Sequence, residues 1–230
     1  RKPMPDEMRS QINLIKKYLD LLGVKRLELP TYEADDIIGT LARLGEKADF
    51  EKIHIITGDK DLLQMADEKT TVHITRKGVT DIESFTPEAV FEKYELSPSQ
   101  IVDLKGLMGD PSDNLPGIPS VGEKTAIKLL KEYQTVENLV ANTASLKGKM
   151  KEKVEANVEQ ALLCKRMATI HTDVPLSVTF DDLLYQGPDV AGLIELFKEM
   201  EFNAFLKKMK LQEVKDETPK APVAIIGSLE

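Results

Sequence analysis

Apolar residues recur at helical spacing near both ends of the chain. The first stripe, over residues 3–22, predicts an amphipathic helix that ends at Gly23. The last stripe predicts a single helix whose apolar face packs into a core. Its members are Leu193, Leu196, Phe197, Met200, Phe202 and Phe205.

Strand-like patterns occur at several places between these helices. Residues 24–29 and 174–178 each predict a short strand. Residues 52–57 form a β-branched run that leads directly into a short helical run, which is typical of a parallel-sheet unit. Residues 72–82 predict a hairpin that turns at Gly78.

Capping signals divide the middle of the chain into helices. Thr86, Ser97, Ser120 and Thr135 each precede a helical pattern. Ser97 and Ser120 are followed three residues later by Gln or Glu, which is the spacing of a capping box. Residues 147–153 contain four lysines in seven positions, and a long helix to about residue 170 is predicted after them. Such a lysine run usually indicates a solvated face, and a second phosphate contact is the alternative.

The composition is that of an ordinary soluble globular protein. Of the 230 residues, 41% are hydrophobic and 30% are charged, so the chain can bury the core of one large or two small domains. No apolar run reaches the ~20 residues that span a membrane, and no signal-peptide pattern opens the chain. The single cysteine, Cys164, excludes an intrachain disulfide and favours a cytoplasmic location. The three histidines are scattered, which argues against a histidine-based metal centre.

The net charge of −8 alone argues against a nucleic-acid partner, but the distribution of charge changes that picture. Seven carboxylates occupy three tight clusters at predicted helix starts, strand ends and loops. Bound divalent cations would reverse the local charge there. The seven residues are Glu33, Asp35, Asp36, Asp59, Asp61, Asp110 and Asp113.

These acidic clusters allow a structural and a catalytic interpretation. Acids in the first turn of the helix predicted over residues 32–42 favour its dipole, and Asp59 and Asp61 after a strand are typical of a helix cap. If the clusters converge instead, their repulsion requires protons or bound cations. All-oxygen ligands select Mg²⁺ or Mn²⁺, and two such ions support phosphodiester hydrolysis. The sequence shows neither a Walker loop nor a side chain placed for a nucleophile triad.

One stretch combines an acidic loop with a glycine-containing turn. Asp110 and Asp113 lie among turn-forming residues, and two prolines and two glycines follow within residues 115–122. A helix then begins, with Lys124 and Lys128 near its start. A glycine turn that leads into a helix N-terminus is a phosphate-binding arrangement. A plain loop between two helices is the alternative interpretation.

Four motifs lie in a fixed order along the chain. They are Tyr32-Glu-Ala-Asp-Asp-Ile-Ile38, Thr57-Gly-Asp-Lys-Asp-Leu62, Gly106-Leu-Met-Gly-Asp-Pro-Ser-Asp-Asn114 and Pro116-Gly-Ile-Pro-Ser-Val-Gly-Glu-Lys-Thr-Ala126. Together they closely resemble the 5′-nuclease domains of bacterial DNA polymerases I, which are similar to flap endonucleases generally. The resemblance covers residues 1–210 in order and in spacing.

The resemblance implies a two-metal site and a duplex-binding element. It implies that the seven carboxylates named above are catalytic and bind two Mg²⁺ or Mn²⁺ ions. The turn over residues 117–122 resembles the family's helix-hairpin-helix element, which grips the duplex backbone through main-chain amides and binds a monovalent cation, K⁺. The residues so implied in DNA binding are Arg1, Gly117, Ser120, Gly122, Lys124, Thr125 and Lys128.

The resemblance also sets the expected fold and domains. It implies an α/β fold with a parallel-sheet 5′-nuclease (PIN-like) domain over residues 1–104, an α-helical helix-hairpin-helix region over residues 105–210, and a linker with the start of a following domain over residues 211–230. Family members carry a further segment, with the first strand, before the point that matches Arg1. We therefore expect a sheet that lacks this strand, and residues 24–75 that are less stable than residues 98–170.

The implied function is 5′→3′ exonuclease and flap-endonuclease cleavage by part of a DNA polymerase I, in primer removal and repair. The implied partners are duplex DNA with a 5′ end or 5′ flap and polymerase domains on the same parent chain, with no membrane. Because part of the active site is expected in the upstream segment, we expect the chain alone to cleave weakly or not at all. A non-catalytic duplex-DNA-binding module is therefore the alternative. A related ribonuclease is a weaker one, since the hairpin element favours duplex DNA.

Overall fold

The computed structural model describes residues 5–77 and 80–212. They form two compact units, one with residues 5–28 and 176–212 and the other with residues 29–77 and 80–175. The domain boundary expected after residue 104 stays a prediction. Three parts of the sequence-based predictions lie outside the described residues, namely Arg1, the hairpin-turn residue Gly78 and residues 213–230 of the expected linker.

Helices dominate both units, and a small sheet lies in the second. In chain order the helices are α1 (Asp6–Leu21), α2 (Ala34–Lys47), α3 (Pro87–Tyr94), α4 (Ile101–Met108), α5 (Glu123–Tyr133), α6 (Val136–Ala141), α7 (Gly148–Ala156), α8 (Val158–Ala168), α9 (Val190–Glu199) and α10 (Asn203–Gln212). The strands are β1 (Ile53–Thr57), β2 (Thr70–Lys77) and β3 (Asp81–Phe85). Across the described ranges, no helix combines the length and apolar character needed to span a membrane.

The sheet combines one parallel and one antiparallel pair of strands. β1 pairs in parallel with β2, with Ile55 opposite Val72, and β2 pairs antiparallel with β3, with His73 opposite Ser84. The predicted strand and the predicted hairpin are therefore confirmed. Among the described strands, β1 is an edge strand with β2 as its one neighbour. Alternate residues of β1 are buried, whereas Ile56 on its other face is 49% exposed.

An apolar core around α4 holds the second unit together. Because α4 is apolar on most sides, it is buried among α5, α6 and α8. This packing fixes both the loop that follows α4 and the turn that leads into α5. The buried members of the core are Leu96, Leu104, Leu107, Ile118, Val121, Ala126, Leu129, Leu130, Tyr133, Val136, Leu139, Val154 and Ala161.

The first unit pairs α1 with α9. The rings of Tyr18 and Phe197 pack with 5.8 Å between their centroids. The Asp189 N–H donates to the Leu21 carbonyl at 2.7 Å, which ties the start of α9 to the end of α1. The helix predicted over residues 3–22 is confirmed in its described part.

The single last helix predicted from the apolar stripe is wrong, because α9 and α10 are separate helices. Glu201 between them adopts a left-handed conformation (φ +56°), which interrupts the helical hydrogen bonding. The residues of the stripe in α9 are buried, but Phe202 and Phe205 are 45% and 48% exposed. The stripe therefore reaches the core only in its first half.

The two strands predicted over residues 24–29 and 174–178 are not formed. A strand needs a neighbour to accept and donate its backbone hydrogen bonds, and within residues 5–77 and 80–212 the strands β1, β2 and β3 pair only with one another. Arg26 bridges Asp20 at 2.8 Å and Glu28 at 3.0 Å.

The capping box predicted from Ser120 in the second unit is also wrong, although the helix that follows it is formed as α5. α5 has Gly122 as its N-cap, without a side-chain cap, because Ser120 adopts a left-handed conformation (φ +64°) two residues earlier. The long helix predicted to follow the lysine run and to end near residue 170 is formed as α8, which begins after Asn157, whose side-chain amide donates to the Lys153 carbonyl at 2.8 Å. An asparagine that bonds to the backbone in this way competes with the helical hydrogen bonds.

Candidate functional site

Three of the seven predicted carboxylates converge in the second unit. One oxygen each of Asp61, Asp110 and Asp113 lies within 4.8 Å of the other two. Two unit charges at that distance repel by about 3.5 kcal/mol at an effective dielectric of about 20. These three residues, called the acidic cluster below, therefore need a proton or a cation between them. Within the described ranges, no other three acidic, histidine or cysteine side chains lie this close together.

The end of β1 positions Asp61 through two successive hydrogen bonds. The Thr57 hydroxyl accepts the Asp59 N–H at 3.0 Å, and Asp59 Oδ1 accepts the Asp61 N–H at 2.8 Å. Asp61 then opens a 3₁₀ turn over Asp61–Met65, whose leucines are buried. The Asp59 carboxylate thus orients the turn that carries Asp61, and it lies outside the acidic cluster.

A tight loop after α4 holds Asp110 and Asp113. The backbones of Asp110 and Leu115 exchange two hydrogen bonds, each 2.8 Å long. Asp110 Oδ1 accepts the Ser112 N–H at 2.8 Å and also the Ser112 hydroxyl. Because Oδ1 is engaged within the loop, Oδ2 is the Asp110 oxygen that binds groups from outside it.

Two glycines bring this acidic loop against the turn that follows. Gly109 and Gly117 both have positive φ angles, +76° and +58°. A Cβ atom on Gly117 would lie 2.2 Å from the Gly109 nitrogen, and one on Gly109 would lie 2.4 Å from the Leu115 oxygen. Only glycine fits at either position without a backbone shift. Ile118 N–H also donates to the Leu107 carbonyl at 2.7 Å, so the loop and the turn form one packed piece.

Lys105 of α4 supplies the positive charge of the acidic cluster. Its side chain is 10% exposed, and its Nζ donates to Asp110 Oδ2 at 2.6 Å. The same Nζ contacts the Asp61 carboxylate and lies 3.9 Å from Asp113 Oδ2. Burial lowers the pKa of Lys105, but its hydrogen bonds to Asp110 and Asp61 outweigh burial and raise this pKa above its usual value. Lys105 is therefore a charged ammonium.

The two carboxylates that Lys105 contacts differ in proton affinity. Burial raises the pKa of Asp61 to about 6, although the Lys105 hydrogen bond opposes the rise. Burial also acts on Asp110, but hydrogen bonds from Lys105 and Ser112 outweigh it and bring the pKa of Asp110 to about 2. Asp110 is thus fully ionised at neutral pH, whereas Asp61 retains some protonated form.

The acids of α2 form a helix start. Glu33 is the N-cap, and Glu33 and Asp36 make a reciprocal capping box in which Asp36 Oδ2 accepts the Glu33 N–H at 3.2 Å. Asp36 Oδ1 accepts the His171 N–H at 2.9 Å. Asp35 lies partly buried in the same turn. These three residues lie outside the acidic cluster, and the metal-binding role expected for them stays a prediction.

The residues implied in DNA binding lie along the turn and the start of α5, apart from Arg1. Because the first N–H groups of a helix have no acceptor within it, the start of α5 presents donors next to its lysines. Gly117 is buried against the acidic loop, and Thr125 is partly buried. The exposed members are Ser120, Gly122, Lys124 and Lys128.

Sequence reasoning missed two residues of the site, Lys105 and Gln160. Lys105 stands in an apolar helix five residues before Asp110, and a charge predicted at a buried position is a signal that it has a partner. Gln160 of α8 donates its side-chain amide to the Gly117 carbonyl. No sequence signal marks Gln160, because its contact depends on how α8 packs.

Two family models match the chain. The model described as 5′-3′ exonuclease, N-terminal resolvase-like domain, matches residues 1–95. The model described as 5′-3′ exonuclease, C-terminal SAM fold, matches residues 96–191. The chain therefore belongs to the 5′-3′ exonuclease family.

Relatives that are similar in sequence are DNA polymerases I. The chain is 50% identical over 225 residues to DNA polymerase I of Bacillus caldotenax, a match that covers 97% of this chain and 26% of that protein. It is 52% identical over 210 residues to the Bacillus subtilis protein, with 91% and 24% covered. It is 41% identical to thermostable DNA polymerase I of Thermus filiformis, with 100% and 28% covered. The chain spans about a quarter of the length of these relatives.

Solved structures show the same fold at low sequence identity. T5 5′-exonuclease with bound zinc ions has a TM-score of 0.63 and 18% identity, and the match covers 86% of this chain and 71% of that chain. The catalytic core of Rad2 in complex with a DNA substrate has a TM-score of 0.51 and 16% identity, covering 84% and 67%. The expected nuclease fold, a small α/β domain followed by a helical region, is therefore confirmed.

Proposed function

We propose that the chain is the 5′→3′ exonuclease and flap-endonuclease part of a DNA polymerase I, which hydrolyses DNA at a 5′ end or a 5′ flap. Its family and its DNA polymerase I relatives support this function. The observation that carries the proposal is the acidic cluster, held against a glycine turn by the Gly109–Gly117 contact. That arrangement brings a cation-binding group and a phosphate-binding group together in one piece.

The donor set of the acidic cluster fits hard divalent cations. It consists of carboxylate oxygens, which Mg²⁺ and Mn²⁺ prefer, and the same oxygens already bind the Lys105 ammonium. Two bound cations supply an activated water and stabilise the leaving oxygen in phosphodiester hydrolysis. Asp61, Asp110 and Asp113 hold the cations in this proposal. The further proposed ligands are Glu33, Asp35, Asp36 and Asp59.

The turn over residues 117–122 and the start of α5 bind the duplex backbone in this proposal. Backbone N–H groups there donate to phosphate oxygens, and Lys124 and Lys128 neutralise phosphate charge. Gln160 restrains the turn through the Gly117 carbonyl. A K⁺ ion at the turn, polymerase domains on the same parent chain and a cytoplasmic location complete the proposal.

A duplex-DNA-binding module without catalysis is the second candidate. The capping box between Glu33 and Asp36 favours it, because that box gives two of the seven acids a purely structural use. A related ribonuclease is a third candidate, which the choice of substrate distinguishes.

A duplex with a labelled 5′ flap separates these functions. In Mg²⁺ the parent protein should cleave the flap, and Asp113→Asn should slow cleavage by about 100-fold or more while duplex binding in Ca²⁺ persists. Asp173→Asn changes an exposed acid outside the cluster and is the matched control. Duplex binding without Mg²⁺-dependent cleavage would support the binding module. Preference for an all-RNA substrate would support the ribonuclease.

Salt dependence tests the proposed duplex contact separately. Lys124→Ala should weaken binding of all duplex sequences alike and reduce the slope of log affinity against log salt by about one charge. Lys207→Ala, at another exposed lysine outside the turn, should leave both unchanged. An unchanged slope in the Lys124 variant would show that this lysine does not contact the backbone.

A further inference from the structure

Lys105 lies where a charged side chain is rarely found. It projects from α4, whose neighbouring residues Leu104 and Leu107 belong to the apolar core. Its side chain is 10% exposed, so its ammonium has little access to water and depends on protein partners. Those partners are the three carboxylates of the acidic cluster.

The ammonium uses the oxygen atoms that a metal ion needs. Asp110 Oδ1 is engaged by Ser112 within its own loop, and Nζ holds the other oxygen, Oδ2, at 2.6 Å. Nζ also contacts Oδ1 of Asp61. Asp113 Oδ2, at 3.9 Å, is close enough for ion pairing but not for a hydrogen bond. Lys105 therefore occupies two of the three carboxylates.

A divalent cation and this ammonium are in direct competition. Mg²⁺ binds carboxylate oxygens at about 2.0–2.1 Å and keeps a strict geometry. A cation bound to Asp61 and Asp110 would place its charge beside an ammonium that contacts the same carboxylates. Like charges at such short separation repel strongly where water is largely excluded.

We propose that Lys105 is the built-in counter-ion of the acidic cluster in the metal-free protein, and that divalent-ion binding displaces its ammonium from Asp61 and Asp110. This inference rests on the proposed metal-dependent function. Lys105 neutralises the carboxylates while no ion is bound, which keeps the loop after α4 folded. It also weakens metal binding, because each binding event must first break the contacts of Lys105.

Calorimetric titration of the chain with Mn²⁺ at pH 8 tests the competition. Lys105→Met keeps an unbranched apolar stem but removes the ammonium and its charge, so we expect Mn²⁺ to bind about tenfold or more tightly. The same variant should unfold at a lower temperature than wild type in EDTA and should recover more stability on adding Mn²⁺.

Lys165→Met is the matched control, since Lys165 is also a partly buried lysine with two carboxylate partners, Asp103 and Glu137, outside the cluster. It should lose stability without any change in Mn²⁺ affinity.

The opposite result would overturn the proposal. If Lys105 instead holds the carboxylates in place for the metal, Lys105→Met will bind Mn²⁺ more weakly or no more tightly than wild type. A further outcome is that wild type binds no Mn²⁺, or binds Mn²⁺ in a way that Asp110→Asn does not change. Either result overturns both the proposed metal site and the proposed counter-ion. If wild type binds Mn²⁺ through Asp110 but Lys105→Met binds it no more tightly, only the counter-ion role of Lys105 is overturned.

A second measurement on the unaltered chain applies if Lys105→Met does not fold. NMR of the lysine ammonium groups should show a protected Lys105 signal in EDTA, identified by its absence in Lys105→Arg, and this signal should be lost on adding Ca²⁺, a diamagnetic divalent ion. Retention of that signal at saturating Ca²⁺ would show that the ammonium stays on Asp61 and Asp110, which overturns displacement.

Discussion

Replacing Gly117 with alanine tests whether the acidic loop and the duplex-binding turn are one packed piece. Alanine at φ +58° costs about 1–2 kcal/mol of stability because its Cβ crowds the following carbonyl. The Cβ atom would also lie 2.2 Å from the Gly109 nitrogen and 2.4 Å from the Met108 carbonyl carbon. Overpacking of this kind adds about 1–3 kcal/mol. The total, about 2–5 kcal/mol, is a large share of the ~5–15 kcal/mol that stabilises a typical domain.

Gly148 provides a matched control for the backbone cost. Its φ angle is +57°, almost the same as that of Gly117, but nothing lies within 4 Å of a Cβ atom placed on it. Gly148→Ala should therefore carry the conformational cost alone. Both substitutions reduce the entropy of the unfolded chain equally, so that contribution cancels in the comparison.

Urea unfolding followed by far-UV circular dichroism measures both free energies of unfolding. We expect Gly117→Ala to lose about 1–3 kcal/mol more than Gly148→Ala, the share that belongs to the contact with Gly109. In the folded fraction, Gly117→Ala should weaken Mn²⁺ binding and duplex binding together. Gly148→Ala should leave Mn²⁺ binding and the conformation of the turn over residues 117–122 unchanged. Equal losses of stability in the two variants would refute the close contact, and loss of duplex binding alone would refute the coupling between loop and turn.

Three further predictions concern other parts of the second unit. Lys165→Met should lower the free energy of unfolding in urea by about 3–5 kcal/mol, because it leaves the buried Asp103 carboxylate without its counter-ion and with the Val136 N–H as its remaining donor. Ser120→Gly should raise the same quantity by about 0.5–1 kcal/mol, because it relieves the left-handed conformation of Ser120. Burial and the neighbouring His54 lower the pKa of His73 below 6.5, so an NMR titration should place its midpoint under that value. The folded state then binds protons less readily than the unfolded state, so stability should fall as the pH drops through 6.5.

Each of these predictions has a contrary outcome. A loss under about 1 kcal/mol in Lys165→Met would show that water or another group satisfies Asp103. A destabilised Ser120→Gly variant would show that the serine side chain stabilises the turn. A His73 midpoint at or above 6.5 would show that burial and the neighbouring His54 do not lower the pKa of this imidazole.

Local patterns in the sequence were sufficient for the elements that surround the site. The β-branched run of β1, the hairpin and the helix start at Ser97 each depend on residues close in the chain, and all three are formed. Residues 24–29 have the same local character as a strand, but none of the described strands pairs with them. Pairing is a tertiary property, so the pattern alone could not exclude that strand.

The candidate site was predictable only in part for the same reason. The spacing of Asp110 and Asp113 places both on one loop, and their convergence with Asp61 follows from the fold. Lys105 joins them because α4 is buried; its place in an apolar helix signals that it has a partner, but only the fold shows which carboxylates it contacts. Glu33 and Asp36 show the converse, since their spacing fits both a metal-binding face and a capping box, and the described contacts form the capping box.

Anomalous diffraction from crystals of the protein soaked in Mn²⁺ tests the central claim most directly. We expect anomalous density bonded to the carboxylates of Asp61, Asp110 and Asp113, and we expect Asp110→Asn crystals to lose it. Manganese bound only elsewhere, with Lys105 still holding Asp61 and Asp110, would contradict the assignment of the acidic cluster as the metal site of this nuclease.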